Sequence, residues 1–263
     1  MGDLRDSDLE GWWVNGVPVH RHAYNLRFLP ESSPPRRGSN RKVARRPGDV
    51  WRRKTHGPRR QQFAMQLFDR DQFGRTGPTA RAFNLDHLKE IWDDGELLEV
   101  VRRLQLPDGR HSSRTAHVEV VDQVDPDIDQ AGGHGTFVVD ALFPDPYWYE
   151  PAKVLTGKSG EFVLWNPGTT RHHNAVVRIH GPASSPTLKN HSTGSSVTFD
   201  GQIGSGDWVE LDSDRFTAVD QNGDSVAGAV VRDDVWFVEI GRGRNRLELS
   251  DGTCDIQFRP AFL

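Results

Sequence analysis

The hydrophobic residues of this chain come in short alternating runs, not in long apolar stretches. The first run is Trp12-Trp13-Val14, followed by Asn15-Gly16 and then Val17-Pro18-Val19. Asn-Gly between two apolar runs is a strong hairpin signal, because a tight type I′ turn needs φ > 0 at both central residues. Residues 27–29 read as another short strand, and residues 61–69 alternate well enough for a half-buried one. One segment has a different period. Ala82, Leu85, Leu88, Ile91 and Trp92 recur at three- and four-residue spacing, which predicts a helix over residues 79–94 with one apolar face. Thr79 is placed to cap its start and Gly95 to end it. Residues 97–106, 114–124 and 136–142 return to strand spacing, with Pro107-Asp108-Gly109 as a hairpin connection.

After Pro151 the rhythm is all-β. Strands are predicted at residues 161–165, 175–180, 187–190, 196–199, 208–211, 216–219, 236–240, 245–249 and 255–260. Turn sequences such as Asn166-Pro167-Gly168 and Gln221-Asn222-Gly223 separate them. Short strands at this spacing predict a β-sandwich or jelly roll. The chain therefore reads as an α+β domain over residues 1–151, with a sheet, one helix and a long basic arm, and an all-β domain over 152–263. Between them stands Phe143-Pro144-Asp145-Pro146-Tyr147-Trp148-Tyr149. Its two prolines fix φ and remove two backbone donors, and its aromatics carry more apolar area than an idle linker would. Phe143, Pro144, Pro146, Tyr147, Trp148 and Tyr149 are expected to form a packed hinge.

Composition supports the short-strand reading: hydrophobic residues are 35% of the chain, with 26 Gly and 16 Pro. The net charge of −4 is ordinary, but its distribution is not. Residues 36–60 are crowded with Arg and Lys, and Asp49 is their only acid. Arg36, Arg37, Arg41, Lys42, Arg45, Arg46, Trp51, Arg52 and Arg53 form the candidate interface of this arm. Arginine forks pair well with carboxylates across protein contacts, and acids abound around residues 122–129 and 200–214. A solvated loop and contact with DNA are the rival readings; no helix-turn-helix or zinc spacing accompanies the arm, so specific nucleic-acid binding is not expected.

The single Cys254 excludes an intrachain disulfide framework or a cysteine-based metal site and suits a reducing compartment. Neither a leader sequence nor a membrane span is expected. Catalytic apparatus is not expected either, and the chain reads as a non-enzyme with no cofactor and no metal. No Gly-x-Ser-x-Gly elbow occurs, and Gly241-Arg242-Gly243 suits a hairpin better than a dinucleotide site. Asp93-Asp94, Asp233-Asp234 and Asp212 with Asp214 fall in turns or at a helix end, where carboxylates are ordinarily solvated. His20 with His22, and His172-His173, lack a third ligand. Sugar binding is the rival from another class. Trp165, Trp208 and Trp236 are the candidates for stacking on a sugar face, although each sits in a strand pattern where packing is the ordinary role.

The order of these landmarks resembles the distal tail protein family of long, non-contractile-tailed phages, also called minor tail proteins. The resemblance runs over almost the whole chain. It rests on Gly38-Ser39-Asn40, Pro47-Gly48 and Trp51 in the arm, on the helix, and on Leu106-Pro107-Asp108-Gly109-Arg110. It continues through residues 143–149 and then Gly181-Pro182-Ala183, Pro186-Thr187-Leu188, Asn190, Thr193-Gly194, Gly206-Asp207, Asp212 and Gly243-Arg244-Asn245-Arg246-Leu247. What the resemblance implies is a belt domain followed by a galectin-like sandwich in a structural virion protein. It further implies a hexameric ring joining the tail tube to the tip hub or baseplate at the distal end of the tail. The implied partners are further copies of the chain, the tail tube protein and a tail-associated hub protein, with the tape measure and receptor-binding proteins as further neighbours. Synthesis would be in the host cytoplasm. A receptor-binding sandwich is the alternative.

Overall fold

The computed structural model describes residues 11–21, 24–27, 33–38, 41–42, 49–50, 55–71, 73–93, 95–106, 108–129, 134–171, 174–232 and 237–263. The chain divides into two compact units, residues 1–148 with Leu263, and residues 149–262.

The first unit begins with β1 (Gly11–Val14), β2 (Val17–Pro18), β3 (His20–Arg21) and β4 (Tyr24–Arg27). Four two-residue strands follow: β5 (Arg36–Arg37), β6 (Arg41–Lys42), β7 (Asp49–Val50) and β8 (Thr55–His56). Then come β9 (Arg59–Phe68), α1 (Pro78–Trp92), β10 (Leu98–Gln105), β11 (His111–Asp129) and β12 (His134–Phe143). β13 (Trp148–Tyr149) stands where the units meet in sequence.

The Asn-Gly hairpin forms as the sequence predicts: Val14 faces Val17, with φ of 46° at Asn15 and 77° at Gly16. The main sheet runs β2-β1-β10-β11-β12-β9-β4-β3, all pairs antiparallel. Its two ends meet at Val19, whose N–H donates to Trp12 O at 2.9 Å and whose carbonyl accepts from Leu26 N at 3.1 Å. That contact brings the two ends of the strand order together. β11 turns the corner: residues 111–118 pair with β10, residues 119–129 pair with β12, and register shifts mark the bend.

Alternate residues point inward, among them Phe63, Met65, Leu67, Val100, Val118, Phe137 and Val139. α1 covers part of this core, but its buried face differs from the expected one. Ala80, Arg81, Asn84, Leu88, Ile91 and Trp92 are buried, while Ala82 is exposed. The amide of Asn84 donates to Phe68 O and Arg70 O, both at 3.0 Å, and Arg81 pairs with Asp69 at 3.2 Å. The first turns are thus anchored by polar contacts, which an apolar-periodicity reading does not see. Nor does Thr79 cap the helix. Pro78 occupies its first turn and Gly77 precedes it at φ 99°, with no side-chain cap.

The second unit contains β14 (Lys153–Asn166), β15 (Val176–His180), β16 (Ala183–Ser184), β17 (Thr187–Asn190), β18 (Ser195–Phe199) and β19 (Gln202–Ile203). It continues with β20 (Trp208–Asp212), β21 (Thr217–Asp220), β22 (Val230–Arg232), β23 (Gly243–Phe258) and β24 (Ala261–Phe262). Strand order is β21-β20-β15-β23-β17-β18-β22, with β14 along the other side of β23. The two segments expected at 245–249 and 255–260 are one continuous strand. Its first half pairs with β17 and its second half with β15, so β23 belongs to both layers of a sandwich. Gly252 makes the corner. Its φ is 76°, and a Cβ there would lie 2.6 Å from His180 O. Leu164, Val177, Ile179, Leu188, Val197, Leu211, Leu247 and Ile256 fill the space between the layers.

The segment expected as a strand at 236–240 is not one in its described part. Phe237, Val238, Glu239 and Ile240 are buried without joining a named strand, and polar contacts hold them in place. Asn190 Nδ2 donates to Glu239 O at 2.7 Å and to Asn245 Oδ1 at 3.0 Å. Asn245 then binds both the N–H and the carbonyl of Gly241, at 2.7 and 2.8 Å. Buried backbone groups need such partners when no ladder supplies them.

Candidate interaction site

The basic arm is a hairpin in its described parts, not a loose loop. Arg36 faces His56, Arg37 faces Thr55, Arg41 faces Val50 and Lys42 faces Asp49. Arg36 and Arg37 are exposed. Arg45, Arg46, Trp51, Arg52 and Arg53 lie outside the described residues.

The base of the arm is fixed by a residue that charge-based reading passes over. His56 Nδ1 lies 2.8 Å from the hydroxyl of Tyr147, with the two rings edge to face at 5.7 Å. Burial, and next the charge of Arg36, hold the His56 imidazole below its ordinary pKa of 6.5. A neutral ring can accept the tyrosine proton in this bond. Beside it, Arg59 is 2% exposed and lays its guanidinium 4.4 Å from the centre of the Phe143 ring. Phe143 and Trp148 pack with Trp12 and Phe63 in one aromatic cluster. The structure therefore joins the arm to Tyr147, within the first unit. Pro146 is buried, Pro144 is exposed, and Tyr149, in the second unit, lies under Arg259 at 5.0 Å.

The first unit also carries an open groove of about 450 Å³ lined by Trp92, Asp93, Glu96, Leu97, Glu119 and Pro144, among others. Three carboxylates and the half-exposed Leu97 make it acidic with an apolar floor. No cluster of three or more metal-ligating side chains occurs among the described residues.

The tryptophans separate into distinct roles. Trp208 is covered by Arg178, whose guanidinium lies 4.3 Å from its ring and also pairs with Glu210 at 2.7 Å. Trp165 is 64% exposed on the outer face of β14. Trp236 lies outside the described residues, as do His172 and His173. Asp212 has a local task, accepting from the backbone N–H groups of Asp214 and Arg215 at 2.9 and 3.1 Å.

Residues 168–262 match the siphovirus-type tail component, C-terminal domain. The resemblance to phage distal tail proteins read from the sequence is thereby supported, and the tail-component match falls within the second unit. Over a wider span, the chain is similar in fold to the Dit protein (gp 19.1) of phage SPP1, described as a paradigm of the hub adsorption apparatus in phages infecting Gram-positive bacteria. That likeness has a TM-score of 0.65 at 15% identity and covers 97% of this chain and 100% of the other. The phage P2 baseplate in its activated conformation with calcium also aligns, with a TM-score of 0.43, 7% identity and 92% of each chain covered. No curated protein sequence matches the chain. Asn190, Thr193 and Asn245, which hold the buried segment 237–241 inside the matched region, are among the residues that carry the resemblance.

Proposed function

We propose that the chain is a structural protein of the distal end of a siphovirus-type tail, where six copies close a ring that joins the tail tube to the tip hub. The family match over residues 168–262 carries this reading. The fold likeness over 97% of the chain extends the support to the first unit. The work of such a protein is geometric: identical head-to-tail contacts close a ring without leaving an unsatisfied face.

Within this reading the basic arm supplies the contact between copies. Arg36 and Arg37, with Arg41, Lys42, Arg45, Arg46, Trp51, Arg52 and Arg53 further along, meet the acidic groove at Asp93, Glu96 and Glu119 of the next copy. Residues 143–149 hold the arm base in place through Tyr147 and mark the passage into the second unit.

Immunogold microscopy of virus particles with antibodies to this chain tests the location. Label confined to the tail end away from the head is expected; particles without label reject the reading. Native mass spectrometry tests the ring, with a mass six times that of one chain expected. Arg36→Glu with Arg37→Glu should dissociate it, and adding Glu96→Arg with Glu119→Arg should restore it. Intact rings in the first double variant exclude the arm as the contact.

A further inference from the structure

One exposed surface of the second unit sets a tryptophan beside arginines. On β14 and β23 the residues alternate strictly across the layer: Leu164 and Asn245 are fully buried, while Val163, Trp165, Arg244 and Arg246 face outward. Register sets Trp165 opposite Arg244 and Val163 opposite Arg246. Side chains directly opposite in an antiparallel pair stand about 5 Å apart at Cβ, so an indole and two guanidinium groups share one small area. Arg242 is exposed in the adjoining turn.

Among the described residues these groups have no internal side-chain partner, unlike their counterparts elsewhere in the unit. Trp208 is covered by Arg178, and Arg178 is neutralised by Glu210. By contrast, Trp165 is 64% exposed and Val163 46%. The indole lies near Gly243, where an added Cβ would stand 3.9 Å from Cη2 and Cζ3. The acids of the same face stand at its other end, where Glu161 lies opposite Glu248, and Glu248 is engaged by His191 at 2.6 Å.

We propose that Trp165, Val163, Arg244 and Arg246, with Arg242 at the rim, bind an anionic saccharide chain. The sugar stacks on the indole and Val163, and its phosphate, sulfate or carboxylate groups meet the arginines. A nucleic-acid strand is a poorer fit, because it needs successive aromatics along its path and this face offers one indole. The site lies in one unit and does not depend on the ring.

The test follows the indole N–H signal of Trp165 by NMR on the full chain, assigned by its loss in Trp165→Phe. A sulfated dextran oligosaccharide should shift this signal, with an affinity at least tenfold above that of unsulfated dextran of equal length. Arg244→Ser with Arg246→Ser should reduce that affinity tenfold or more, and Arg36→Ser with Arg37→Ser should leave it unchanged. Polyglutamate should move the signal little. An unmoved signal with the sulfated oligosaccharide overturns the proposal. So does an equal response to polyglutamate, which would assign the surface to an acidic protein segment.

Discussion

At the scale of single residues, buried groups with fixed tasks give the sharpest expectations. Cys254 is fully buried, and burial, helped by the charge of Asp255, pushes its thiol up to about 12. At pH 8 it should not react with a chromogenic disulfide reagent until the second unit unfolds; rapid labelling of native protein would contradict its place in the core. Gly252→Ala combines a strained φ with a close approach to His180 O and should cost about 1–3 kcal/mol, read by denaturant unfolding. In the sequence Gly252 falls between the strands expected at 245–249 and 255–260. That position does not reveal that β23 runs through the corner, because a glycine at a bulge and a glycine in a loop look alike without the partner strands. The grouping of Arg244 and Arg246 with an indole is hidden for a related reason. Alternation shows that they share a face, but only the register places Trp165 beside them.

At the scale of elements, the helix shows how far pattern carries. Its existence, approximate length and apolar C-terminal half were legible from Leu88, Ile91 and Trp92. The buried face at its start was not, because Arg81 and Asn84 are held by carboxylate and carbonyl groups at the end of β9. The arm was legible as a basic segment, yet its pairing and its anchor at His56 needed the fold. That anchor predicts a pH response. The folded state holds His56 below 6.5, so the unfolded chain takes up the proton first as pH falls. The contribution is therefore full above about pH 6.5 and declines as pH drops through that value toward the folded pKa. Melting of the first unit measured from pH 7.5 to 5 should show this decline, and His56→Gln should flatten it. An unchanged slope in the variant would exclude His56 as its source.

At the scale of the molecule, two separate hydrophobic cores predict two separable responses to core truncation. Trp148→Ala should destabilise the first unit by about 3–5 kcal/mol, and Leu247→Ala the second by about 2–5 kcal/mol. Calorimetry should show each change in a different transition; a single transition moved equally by both would mean that the cores melt together.

The pairing of β14 with β23, the strand that belongs to both layers, also fixes where the ends of the sandwich lie. Lys153 and Phe258 are paired neighbours, so the two ends of the sandwich lie side by side. A folded body with adjacent ends tolerates circular permutation. A short linker can join those ends, and the chain can be opened instead at a distant turn such as Gln221-Asn222-Gly223.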